Sequence, residues 1–200
     1  MDFIKKNLSR IAIVAAVFFI GIFAVVLTGP MKMGAVLPGN FMEAREQAAA
    51  VSKRVVELTS EIGKKIKAAN ISDLTGRTLD ARTLIQEAKT NNTEAYQNAF
   101  ELSRHLQRLA ESLAELKSSK SQRLAYEAVA VELALVSEFI TYTQNLNRFL
   151  DNLDRAIAFN SGAARDEVRT ALQEVNRSAE TINRLNMEFL AKMKKFDSSL

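Results

Sequence analysis

The chain has 200 residues, with 27 lysines and arginines against 23 aspartates and glutamates, one histidine, no cysteine and no tryptophan. A net charge of +4 is too small for its length to mark a nucleic-acid surface. The absence of cysteine excludes disulfides, thiol catalysis and thiolate metal sites, and a lone histidine excludes paired-histidine metal motifs.

Residues 1–10 form a basic flank carrying Lys5, Lys6 and Arg10. Ile11 to Leu27 then contains no charged or hydrogen-bonding side chain, and with Thr28 and Gly29 it reaches roughly 28 Å as a helix, just enough to cross a hydrocarbon core. Residues 11–29 are therefore expected to be a single transmembrane signal-anchor. Only Lys32 and Arg45 lie within reach on its other side, so the N-terminus is expected in the cytoplasm and the remainder outside the plasma (inner) membrane. A cleaved signal peptide is the rival reading, but no small-x-small pair ends the apolar core and Pro30 follows Gly29 directly.

Residues 30–40 read as a linker, because Thr28 to Asn40 holds both prolines and three of the seven glycines. Residues 41–200 have no proline, as an all-helical domain requires. Asn40, three residues before Glu43, has the spacing of a capping box.

Four amphipathic helices are expected. The first spans about 41–69, its apolar stripe running through Ala48, Val51, Val55, Leu58, Ile62, Ile66 and Ala69. The second spans 79–117, with a break or bend at Thr90-Asn91-Asn92-Thr93 and a leucine row at 102, 106, 109, 113 and 116. The third, 122–159, is the most apolar and keeps a three-four rhythm from Leu124 to Leu153. The fourth, 163–196, continues it from Val168 to Met193, interrupted by Asn186. Short turns between helices of similar length predict an antiparallel up-down bundle with coiled-coil-like packing. The fold class expected is all-α, one transmembrane helix followed by this bundle. An anchor joined to a four-helix domain resembles the ligand-sensing ectodomains of chemoreceptors and sensor kinases, and that resemblance implies a ligand-binding sensor or carrier module signalling through a partner.

Chemistry is hard to build from these residues. His105 falls at a polar boundary of the second helix, no glycine-rich phosphate loop is present, and carboxylate pairs such as Asp151 with Asp154 sit at helix ends. The sequence points to a non-enzymatic scaffold or accessory subunit without cofactor or metal. Its expected partners are the lipid bilayer and other protein subunits or a second copy, with no nucleic acid and little provision for a small-molecule ligand. Two surfaces stand out. Val129, Leu133, Val136 and Ile140 form a second apolar row on the third helix, with Glu132 at its edge, and are a candidate partner interface. Glu132 there needs an arginine of the second or fourth helix, or a position at the interface. Lys117, Lys120, Arg123, Lys192, Lys194 and Lys195 gather at the pole nearest the anchor and are candidate membrane-surface contacts.

Overall fold

The computed structural model describes residues 39–115, 118–159 and 162–199. The anchor (11–29), nearly all of the linker, and Leu116 and Lys117 lie outside the described residues. No helix among the described residues is long and apolar enough to cross a membrane.

Helix α1 runs Gly39–Leu74, α2 Thr78–Ser112 with a 3-10 turn Leu113–Glu115, α3 Ser119–Phe159 and α4 Gly162–Asp197. Sequential neighbours pack closely, α1 on α2, α2 on α3 and α3 on α4, whereas α1 has no comparably close backbone approach to α4. The cross-links fix an up-down order. At one pole the rings of Phe41 and Phe196 lie 6.4 Å apart, Ser121 donates to the Ser199 carbonyl, and Gln122 donates to the Leu113 carbonyl. That pole collects the starts of α1 and α3 and the ends of α2 and α4. At the opposite pole Arg82 of α2 meets Asp154 of α3 at 2.8 Å, Arg155 of α3 meets Glu167 of α4 at 2.9 Å, and Lys65 of α1 pairs with Glu87 of α2.

The expected stripes face inward. Leu58, Ile62 and Ile66 of α1 bury against Ile85, Leu102 and Leu106 of α2, Leu135, Leu146 and Phe149 of α3, and Val175 and Ile182 of α4. The boundaries differ in three places. Helix α1 continues five residues beyond Ala69 to Leu74, and Asn40 lies inside it, so Asn40 is not an N-cap. The helix ends on Gly76, whose φ of 77° suits a residue without a side chain. Arg77 N–H then donates to Ser72 O and Gly76 N–H to Asp73 O, a Schellman arrangement that satisfies carbonyls left over at the helix end.

The second difference is that α2 runs unbroken through Thr90 to Thr93. Thr90 and Thr93 return their hydroxyls to the carbonyls of Gln86 and Lys89, and the asparagines take partners on other helices, so nothing there competes with the helix ladder. Asn91 donates to Glu61 of α1, and Asn92 is buried, donating to the Thr143 carbonyl of α3 at 2.8 Å. The third is that α3 starts at Ser119, three residues early, with Ser118 Oγ accepting from Ser121 N–H.

Leu146 is fully buried, while Leu79 is 79% exposed on the first turn of α2. Leu146→Ala is expected to cost about 2–5 kcal/mol in urea denaturation, and Leu79→Ala less than about 0.5 kcal/mol. Similar losses at both sites would contradict the assignment of the core.

Candidate functional site

Between Leu124 and Asn147 the sequence of α3 carries three charges, Glu127, Glu132 and Glu138. Glu127 turns to α4, where Lys192 donates to it at 2.7 Å, and its carboxyl is held below the ordinary range by that hydrogen bond and charge. Glu138 lies three helical turns further along the same flank. Glu132 points inward and is only 5% exposed. The flank of α3 that faces α2, and the outer surface beside it, therefore have no charge over more than six turns.

Four cross-links set how α2 lies along that flank. Arg82 pairs with Asp154, Lys89 with Asp151 at 2.6 Å, Asn92 reaches Thr143 O, and Gln122 reaches Leu113 O. This register and the helical phase put Phe100 level with the α3 turn between Leu133 and Ile140, with Tyr96 one turn away. Phe100 is 46% exposed and its ring meets Tyr96 edge-on at 5.0 Å between centroids. Leu133 and Tyr126, seven residues apart on one line of α3, are 36% and 41% exposed. The α2–α3 groove thus presents a strip of aromatic and aliphatic side chains. Other exposed apolar residues, Ile71, Leu79 and Phe159, sit beside the turns of the opposite pole, and Met187 stands on α4.

The candidate interface row does not share one environment. Val129, Glu132 and Val136 are covered by the chain's own helices, Ile140 is half-buried against the core, and only Leu133 opens to solvent. The row spans too wide an arc of α3 to lie wholly outside, so its inner side became core. Phe100 and Tyr126 extend its outer side. They were not part of the row, because Phe100 belongs to α2 and the row begins at Val129, one step after Tyr126.

Among the basic residues, Lys120, Arg123, Lys194 and Lys195 are exposed at the pole where α1 begins. Lys192 is held by Glu127, and Lys117 lies outside the described residues.

Glu132 lines a cavity of about 40 Å³ at the same pole, with Phe41, Arg45 and Ala48 of α1, Leu106 and Leu109 of α2, and Phe189, Met193 and Phe196 of α4. The charged residue beside it comes from α1, not from α2 or α4 as expected, because Arg45 stands on the margin of the α1 stripe that faces α4 across the loosest side of the bundle. Burial pushes the Glu132 carboxyl up to about 7, with Arg45 pulling the other way. The cavity accommodates a few water molecules, and is far smaller than the several hundred Å³ of an ordinary ligand pocket. Larger grooves of about 350 Å³ between α1 and α2 and about 550 Å³ along α3 and α4 open to solvent. The arginines of the latter are already paired, Arg148 with Glu174 and Arg155 with Glu167.

Among the described residues no three histidine, cysteine or acidic side chains come together in a way that would hold a metal ion. His105 is half-buried, its Nε2 3.7 Å from Glu101. Asn186, which interrupts the stripe of α4, is buried, and its Oδ1 has no hydrogen-bond partner among the described residues. No protein-family model, curated protein or solved structure matches the chain.

The Glu132 shift carries a definite pH dependence. Its folded pKa is above the unfolded value of 4.5, so its contribution to stability is complete below pH 4.5 and is lost as pH rises through about 7. Urea denaturation is expected to find about 3 kcal/mol less stability at pH 8 than at pH 5, a difference abolished in Glu132→Gln. An unchanged difference in the variant would assign the pH dependence to other groups.

Proposed function

We propose that this protein is a non-enzymatic, single-pass membrane scaffold or accessory subunit, anchored by residues 11–29 with its N-terminus cytoplasmic and residues 41–200 extracytoplasmic. The observation that carries the reading is the apolar strip of Tyr96, Phe100, Tyr126, Leu133 and Ile140, along which α3 presents no outward charge, on an otherwise charge-rich bundle. Exposed apolar clusters of this kind mark interfaces. The occupant that fits is a partner helix laying an uncharged apolar stripe into the groove. The anchor rests on the apolar run of Ile11 to Leu27 and on its flank asymmetry. With that tether the pole bearing Lys120, Arg123, Lys194 and Lys195 faces the bilayer, where each cation near anionic lipid contributes on the order of 1 kcal/mol. The alternative, a ligand-binding sensor or carrier, would need a larger enclosed pocket than the Glu132 cavity provides.

A photo-crosslinking residue at position 133 in native membranes is expected to give one discrete adduct with another protein, and one at exposed Lys64 none. Phe100→Gln should abolish the adduct while leaving the melting temperature within a few degrees, since Phe100 is 46% exposed. An adduct only between two tagged copies would make the occupant a second copy. Equal adducts from both positions would remove the docking reading.

Topology is tested separately. Thr93→Cys, on the exposed surface of α2, is expected to react with a membrane-impermeant maleimide in intact cells, and Ser9→Cys only after permeabilisation. Reversed labelling would invert the orientation, and a mature N-terminus beyond Thr28 would remove the anchor.

A further inference from the structure

The Glu132 cavity has an asymmetry that the docking reading does not use. Among the described residues its only charged walls are Glu132 on α3 and Arg45 on α1, the first helix, which leads back to the N-terminal stretch. Every other described residue lining it is apolar: α2 contributes Leu106 and Leu109, and α4 contributes Phe189 and Met193. Glu127, on α3 itself, is turned away to Lys192, and His105 does not line the cavity but stands beside Glu101. Ionised Glu132 therefore depends on Arg45 and on any water the cavity admits, while neutral Glu132 needs neither. The backbones of α1 and α4 make no comparably close approach, which leaves that side of the cavity the least closely walled. The residues that would move are the first turns of α1, which present Phe41, Arg45 and Ala48 to the cavity.

We propose that Glu132 and Arg45 form a proton-operated latch on the start of α1: neutral Glu132 keeps its first turns seated in the bundle, and ionised Glu132 lets them open to water. The ring contact of Phe41 with Phe196 is the packing that closes with the latch. Burial brings the carboxyl to about 7, so the device would work across neutral pH. In the proposed topology this is the pole nearest the membrane, but the latch itself requires only the described helices.

Hydrogen–deuterium exchange of the full chain in mild detergent tests it, with rates corrected for intrinsic pH dependence. The peptide covering 39–50 should open about tenfold more at pH 8 than at pH 6, since an opening that releases one proton gains up to tenfold per pH unit until the pH reaches the folded pKa of about 7 and levels off above it. The peptide covering 58–66 should not change. Glu132→Gln should keep 39–50 closed at both pH values. Arg45→Gln, which removes the countercharge and so raises the folded pKa of Glu132, should displace the levelling-off of the opening to higher pH, leaving more opening at pH 8 than in the native chain, and serves as the second test should the glutamine variant fold poorly. No pH response in the native chain, the same response in Glu132→Gln, or no displacement in Arg45→Gln would each overturn the latch.

Discussion

A carboxyl group enclosed by hydrocarbon must hold a proton, a countercharge or water, and this requirement governs the pole of the bundle where α1 begins. Glu132 is surrounded by side chains from all four helices, and among the described residues Arg45 is the only other charge on the cavity wall. The rest of that pole is built from large apolar groups, Phe41, Leu106, Phe189 and Phe196, which stabilise it only while they exclude water. Packing there and the protonation of one residue are therefore coupled. Away from this pole the core is conventional, with leucine, isoleucine and phenylalanine interdigitating along the bundle axis.

The polar links between helices have a different role. Arg54 with Glu94, Lys89 with Asp151, Arg82 with Asp154, and Arg148 with Glu174 all have at least one partner well exposed, so each contributes little to stability. Their value is in register. Lys89–Asp151 and Arg82–Asp154 hold α2 against α3 so that Phe100 falls level with the turn after Leu133, which turns separate apolar residues on two helices into one strip, while the other two pairs set α1 against α2 and α3 against α4. The buried link from Asn92 to Thr143 O specifies the same alignment from inside, and that from Asn145 to Ser178 sets α3 against α4, where an unmade hydrogen bond is costly.

Much of this was legible in the sequence. The absence of proline after residue 38, the three-four spacing of apolar residues and the breaks near Gly76, Ser118 and Gly162 are enough to place four helices and their order. What was not legible depended on contacts between helices. Asn92 looked like a helix breaker because its partner, the Thr143 carbonyl, is 51 residues away. Asn70 to Leu74 looked like a turn because the stop at Gly76 depends on its positive φ. The second row on α3 was recognised, but whether Val129 and Val136 face a partner or the core depends on where α1 and α2 lie, which no single helix encodes. Arg45 was missed as the neighbour of Glu132 because the two meet only through the up-down arrangement. The weak signal for it was a basic residue set against the apolar face of the first helix, between Phe41 and Ala48.

The most direct test of the account is the titration of Glu132 itself, by carbon-13 NMR of carboxyl-labelled glutamate in the full chain. One resonance, absent from Glu132→Gln, is expected to titrate with a midpoint of about 7, well above the ordinary 4.5. Should the resonance lost in that variant titrate near 4.5, Glu132 would be solvated, and its burial at the α1 pole would be contradicted.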